Sequence, residues 1–478
     1  MKFSFLSSDI LIGLKGGIRM SKSARLDLSN NRKFRSSALR LAQHELQKHF
    51  KDLSKINMQD IRREEANLRK YPNLDSLRLE PKKGEIIEVT KQSVGQDEIE
   101  QAIQVKLAGM DLVENAAAGE ATRLGIGTKY LLTPESLAKT VAMHNLKISD
   151  PKDFIPLPVK PQDLLPISVG NRHMLQLAFD LTELAAKNDL NPGEVLKSQY
   201  MLTPLNESTQ LQIIRDFVKP DFFGFTPERM LFTVQPSLPG MGIKNGKLFY
   251  DPKSAHRLWN HGHMVMQETM DREIFSVAFD SRSGEIKRRP LSRDEFGTIL
   301  KSMRNKISYP IEDIDFLTGS FNPINLALAL KLGAQGSRMV MEVVGQKKPP
   351  QKGGFWAYDP ALKRAVMIES DQAGKMPVEN IKILNKNFNM FPEPYEVWEI
   401  LGKEGLPPHL TVKGDHLYLQ PPQGDQNFLV PTAFIRWEPV QPIRNLKNLT
   451  DAPATLSAME KQDAQYGFKD FARRFGLV

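Results

Sequence analysis

The chain has 478 residues, 40% hydrophobic and 25% charged. This is enough apolar material for one large α/β domain with appendages, or for two to three domains, and it excludes bulk disorder and fibrous repeats. There is no cysteine, which removes thiol nucleophiles, disulfides and cysteine zinc sites, and the formal net charge of +9 is spread along the chain rather than gathered into one polyanion-binding face.

The first segment, MKFSFLSSDILIGLKGGIRM, resembles a secretion signal only superficially. Asp9 interrupts its apolar run, Lys15 closes it, and no small-x-small cleavage site follows. No apolar run approaches the length needed to span a bilayer. A cytoplasmic protein with no membrane partner is expected. No aromatic-plus-basic RNA module is present, so no specific nucleic-acid partner is expected.

From about 36 to 70, Leu39, Leu41, Leu46, Phe50 and Leu53 recur at helical spacing. Tyr71, Pro72 and Asn73 break the pattern, so residues 1–83 read as a helical N-terminal cap. From about 84 short apolar runs alternate with helical stretches. The pattern predicts a strand over 86–89, a helix over 99–107, and a strand over 111–117 running into a small-residue turn. A helix over 173–187 follows, and Asn191-Pro192-Gly193 turns the chain into a strand near Val195. Then come a helix over 208–218 and a strand over 230–234. Residues 271–290 read as a hairpin inserted into the core, turning at Asp280-Ser281-Arg282-Ser283-Gly284. A helix over 324–332 is ended by Gly333, and a strand follows over 338–344. Strands alternating with helices imply a largely parallel sheet with crossovers on both faces, spanning 84–395. Beyond this, 396–478 reads as a small, proline-rich C-terminal region closed by one helix over 456–474.

The segment AGEATRLGIGTK, residues 118–129, carries the most chemistry. Small residues let the main chain approach a ligand closely, and successive N–H groups in such a turn point at phosphate oxygens. Arg123 offers a rigid fork that matches phosphate geometry, and Lys129 a mobile point charge.

At this turn the sequence resembles the UDP-sugar pyrophosphorylase superfamily, whose signature is close to GGxGTRLGxxxPK. Here Ala118, Ala121 and Thr128 replace the first glycine, the third glycine and the proline, and the lysine is one residue nearer. Further matches follow in the family's order. Phe232-Thr233-Val234-Gln235-Pro236 resembles the strand whose glutamine reads uracil. Asn260-His261-Gly262-His263 resembles the family's GHGD turn. Met341-Glu342-Val343 with Lys352-Gly353-Gly354, then Met367-Ile368-Glu369 and the run from Ile381 to Phe388, resemble segments of the glucose-1-phosphate uridylyltransferases.

The resemblance implies a Rossmann-like nucleotidyltransferase core, GT-A-like, with a mixed, mostly parallel sheet. It implies UTP and a sugar 1-phosphate, most simply glucose 1-phosphate, as partners and Mg2+ as cofactor. Arg123, Lys129 and Lys382 are then the catalytic cations. Ala118, Gly119, Glu120, Thr122, Gln235, His261 and Gly262 would hold the nucleotide, and Gly353, Gly354, Glu369 and Asn385 the sugar. The family's metal aspartate has no unambiguous counterpart. One register puts Phe321 there; Asp315 is preferred, with Asp313 the other choice. The implied reaction is in-line attack on the α-phosphorus, without a general base. Two other readings compete: a metalloenzyme using His261 and His263, and a sugar-nucleotide-binding relative without catalysis.

Overall fold

In a computed structural model of the chain, the described residues are 19–20, 32–119, 128–271, 273–280 and 282–478. Among them, thirteen strands form one sheet. At its centre Asp111–Ala116 lies between Met201–Asn206 and Asn305–Pro310, parallel to both. Met230–Gln235 extends the first side in parallel. On the other side Ile383–Pro392 runs antiparallel, followed by Met339–Gly345, Thr432–Trp437 and Ile87–Val89. Parallel strands covered on both faces read as continuous apolar runs, and Met230–Gln235 is buried at all six positions. Val113, Phe232 and Ile307 share one core with Leu175 and Leu177 of the helix Val169–Lys187. Leu112, Leu202 and Leu231 share another with Phe296 and Trp398.

From Asp111–Ala116 the chain winds outward to one side through Met201–Asn206 and Met230–Gln235, then returns to place Asn305–Pro310 on the other side. Such a reversal leaves a crevice at the carboxyl ends of the two diverging strands, where open α/β sheets bind ligands. The small-residue turn begins there.

The helices Arg32–His49 and Met58–Arg69 match the predicted N-terminal cap. They pack near a second, four-stranded sheet of Leu410–Lys413, His416–Leu419, Met241–Lys244 and Lys247–Tyr250. Gln43 links the two by donating to Gly246 O at 2.6 Å and accepting from the Leu248 N–H at 3.1 Å. The C-terminal residues are woven into both sheets.

Four expectations are corrected. Asn191-Pro192-Gly193 starts a helix, Pro192–Ser198, instead of leading to a strand: Asn191 caps it, and proline suits a first helical position. The hairpin Phe275–Asp280 and Glu285–Pro290 is not inserted within the core but extends the main sheet past Met230–Gln235. Gly333 does not end its helix, which runs Pro323–Ala334; a Cβ there would lie 2.5 Å from Pro392 Cβ, so close packing explains the residue. The last helix is two, Ala452–Asp463 and Phe468–Arg474, separated at Gly467, whose φ of 80° is left-handed.

The terminal helices are pinned to the core by Arg172. Its guanidinium, fully buried, donates to both carboxylate oxygens of Asp463 at 2.7 and 3.1 Å and to Gln462 Oε1 at 2.8 Å. Removing one partner of a buried ion pair leaves an uncompensated charge, so Asp463→Ala is expected to destabilise the fold by about 3–5 kcal/mol. Urea unfolding checks this, and an unchanged midpoint would refute the pinning role.

Candidate active site

The cleft is assembled from strand ends. Beyond Ala116, Ala117 bonds back to Pro204 O at 3.0 Å, and Asn206 Nδ2 donates to Ala118 O at 3.0 Å. Asn206 Oδ1 meanwhile accepts from the Thr209 N–H and hydroxyl, tying the start of the turn to the helix Gln210–Val218. Among the described residues, nothing lies within 4 Å of where a Gly119 Cβ would stand. Glu120, Thr122 and Arg123 lie outside the described residues. Where the chain resumes, Lys129 pairs through Nζ with Glu312, just past the end of Asn305–Pro310. The lysine of the turn and the acid of the neighbouring strand thus meet across the switch-point crevice.

The family resemblance points further along, to Asp313, Asp315 or Phe321, and no motif in the sequence marks Glu312. Its signal is positional: it is the first acid beyond the strand that pairs with the turn's own strand. Burial acts to raise its pKa, but Lys129 and Lys447 outweigh this and hold the carboxyl below its ordinary value. Asp315 has different neighbours. Its two oxygens face Lys386 at 3.2 Å and Arg444 at 2.9 Å. Asp313 is buried, and its Oδ1 accepts from the Asp315 N–H. Phe321 packs partly buried against the main core.

Gln235, at the end of its strand, donates to Trp259 O at 3.0 Å and Asn260 O at 3.3 Å. Its two amide hydrogens are thereby engaged, leaving Oε1 for a ligand. Gly262 is required by close approach: a Cβ would stand 2.4 Å from Pro421 O, which accepts the Gly262 N–H at 2.8 Å. His261 Nδ1 accepts the Gln423 N–H at 2.7 Å, and the residue as a whole is exposed. Crowding by the protein, with Lys447 nearby, pushes its pKa down to about 4, so the imidazole is neutral. His263 is buried against Trp259, ring centroids 4.6 Å apart. The metalloenzyme reading needs the two side chains on one side, as alternate residues of a strand would be. In fact His261 caps and His263 enters the helix Gly262–Met266, where residues two apart do not face each other. Among the described residues no group of three or more His, Asp or Glu side chains is arranged to hold a metal.

The sugar wall converges. Asn385 N–H donates to Gly354 O at 2.8 Å, and Glu369 Oε1 lies 3.0 Å from where a Gly354 Cβ would stand. Among the described residues the Asn385 Nδ2 is buried without a partner. A Cβ on Gly424 would sit 3.5 Å from Glu369 Oε1 and 3.7 Å from Asn385 Nδ2, so this glycine also leaves room. Lys382 is exposed and donates to Glu379 O at 2.6 Å. Lys447, which no motif flagged, donates to Lys352 O at 3.2 Å beside Gly353. Its charge acts on Glu312, His261 and Glu369 together, so it links the nucleotide turn to the sugar wall.

Burial, with Asp425 nearby, pushes the Glu369 carboxyl from 4.5 up to about 7. Between those values the folded state binds the proton and the unfolded state does not. This contribution to stability is therefore full below the unfolded value and lost as pH rises through about 7. Glu369→Gln cannot ionise, so its Tm should fall less than the wild type's between about pH 5 and about pH 8. Parallel Tm–pH curves would contradict the assignment.

No family model matches the sequence, and no curated protein matches it. Among solved structures the chain is similar to the uridine diphosphate N-acetylglucosamine pyrophosphorylase from Trypanosoma brucei in complex with inhibitor. The identity is 12% over 96% of this chain and 85% of that one, with a TM-score of 0.53. A UDP-glucose pyrophosphorylase variant from Leishmania major in complex with UDP-glucose has 12% identity over 87% and 76% of the two chains, with a TM-score of 0.49. With the strand order and the cleft described above, the first of these likenesses establishes that the chain has the fold of the UDP-sugar pyrophosphorylases.

Proposed function

We propose that the chain transfers a uridylyl group from UTP to a sugar 1-phosphate and releases pyrophosphate. The observation that carries this is the Lys129–Glu312 pair: a cation of the small-residue turn and an acid of the adjacent strand, meeting at the switch-point crevice. Lys447 joins that pair to a wall built from Gly354, Glu369 and Asn385. A lysine at the end of that turn, linked through Lys447 to a polar, partly unsatisfied wall, supports a reaction between a nucleotide and a polyhydroxylated partner. Glucose 1-phosphate is the sugar the sequence resemblance favours.

An oxygen of the sugar phosphate attacks the α-phosphorus, and the bond from that phosphorus to the bridging oxygen of pyrophosphate breaks. The nucleophile is already an anion, so the residues supply position and charge instead of a base. Lys129 exchanges Glu312 for phosphate oxygens, and Arg123 belongs to the same turn. Lys447 lies between the two substrates' sides of the cleft. Lys382 reaches the reaction only by leaving Glu379 O. The Gln235 Oε1 accepts from the base, and Gly262 keeps the main chain close beneath it.

A divalent cation such as Mg2+ neutralises triphosphate charge and orients the leaving group. Mg2+ is held in such sites by one or two carboxylates together with substrate phosphates. Glu312 fits that description, with its carboxyl held ionised beside the turn. Asp315, engaged by two cations, fits it less well.

A pyrophosphate-release assay over several sugar 1-phosphates, each with UTP and with ATP, tests the reading. Lys129→Ala and Glu312→Gln are each expected to lower kcat by ~100-fold, as for other preorganised electrostatic groups. Lys382→Ala is expected to do the same. A variant within about threefold of wild type leaves the mechanism. Binding of UDP-glucose with no exchange of labelled pyrophosphate would sink the catalytic reading altogether.

A further inference from the structure

Next to the sugar wall lies a cavity of about 350 Å3, formed by the segment 347–352 and by residues 448, 450 and 451. The segment is held shut by one side chain. Gln346 Oε1 accepts the Gln351 N–H at 3.0 Å, and Gln346 Nε2 donates to Gln351 O at 3.1 Å. The same nitrogen also reaches Ile381 O, and the Gln346 N–H donates to Lys382 O, which anchors the segment to the candidate catalytic strand. The far side is held by Asp451, whose carboxylate accepts from Lys347 Nζ at 2.6 Å and from the Lys447 and Asn448 N–H groups.

Two features of this cavity are left unexplained by the fold. Gln351 is 7% exposed, yet neither its Oε1 nor its Nε2 has a partner among the described residues. Buried amides are ordinarily hydrogen-bonded, and one left open on both atoms points to a group that enters from outside. Lys347, Lys348 and Lys352 line the same cavity, and Asp451 is the carboxylate lining it; among the described residues it pairs with Lys347 alone. Lys348 and Lys352 have no carboxylate partner there. The cavity thus carries uncompensated positive charge, and among the described residues the amide of one of its lining side chains has no partner. Lys352 immediately precedes Gly353 and Gly354, so the cavity continues the wall against which the sugar would rest.

We infer that this cavity receives a negatively charged substituent of the sugar, so that the substrate class is acidic sugar 1-phosphates, a hexuronate or a sugar with a second phosphate. The inference rests on the uridylyltransferase reading and narrows it. A neutral hexose offers hydroxyls to Gln351 but leaves the lysines without a partner, whereas an anion engages both. Hydrogen bonds to charged groups are worth more than neutral ones, and the gain is realised only by the acidic substrate.

The test is calorimetric titration of the full chain with UDP-glucose, UDP-glucuronate and UDP-glucose 6-phosphate, in wild type, Lys348→Ala and Gln351→Leu. At least one acidic probe should bind about tenfold or more tightly than UDP-glucose, as expected of charge-assisted bonds. Which probe wins distinguishes a carboxylate from a phosphate. That advantage should shrink to within about threefold in either variant, a ratio insensitive to general loss of folded protein. Equal or weaker binding of both acidic probes, or a preference unchanged in both variants, overturns the inference. Pyrophosphate release is measured in parallel. Turnover of neutral and acidic sugar 1-phosphates at equal rates refutes the inference and leaves uridylyl transfer standing. Acidic preference in binding, with no turnover of any sugar 1-phosphate, refutes uridylyl transfer and the substrate assignment with it, while the anion preference of the cavity stands.

Discussion

Beneath the cleft, Lys306 lies between Glu114 and Glu268 with little contact with water. It pairs with Glu114 across two central parallel strands and with Glu268 at 2.7 Å. Burial alone would strip Lys306 of its proton, but the two carboxylates more than reverse this. Burial, with Glu114 nearby, pushes Glu268 up, so the three side chains form one interdependent group. Such a group tolerates no missing member, because a buried charge without its counterpart is far more costly than the whole set satisfied. Its geometry therefore constrains what surrounds it. Ser308 donates to Glu114 at 2.7 Å, and Gln423 donates to Ser308 at 2.7 Å. The same Gln423 donates its main-chain N–H to His261. A buried ion triad, a serine and a glutamine thus fix the height at which the histidine turn stands over the sheet.

The other side of the crevice is held by exchangeable contacts. Lys129 and Glu312 are partly exposed, at 13% and 15%, so their pairing can be given up to an incoming anion. Asn385 and Glu369 hold polar atoms that the protein leaves unsatisfied or destabilises. Polar groups under such strain collect where a ligand supplies the missing partner. The rigid floor and the labile rim are both needed: one sets the distances, the other supplies groups free to change partners.

Much of the sheet was legible because its central strands are short apolar runs bounded by helices, as at Met230–Gln235. The helices Val169–Lys187 and Gln96–Leu107 were legible through their periodicity. Local chemistry misled where one residue type serves two purposes. Asn191-Pro192-Gly193 is as good a helix start as a turn, and Gly333 is as good a packing contact as a stop. The candidate site was legible where its residues sit in a compact motif, as at Lys129 and the Gly353-Gly354 pair. Glu312 escaped because it stands only three positions before Asp315, and only the strand register at Asn305–Pro310 decides between them. Lys447 and Gln423 escaped for a different reason. They reach the cleft from far beyond the phosphate turn in sequence, and no spacing within the sequence encodes that approach.

The position of Thr432–Trp437 has a consequence for biosynthesis. This strand enters the main sheet between Met339–Gly345 and Ile87–Val89, so Ile87–Val89 has no neighbour to pair with on that side until residue 437 has left the ribosome. Pro421, Gln423 and Lys447 arrive equally late. Until then the emerging polypeptide carries an unpaired strand edge and an unfinished cleft. The nascent protein therefore depends on Thr432–Trp437 to close an aggregation-prone border.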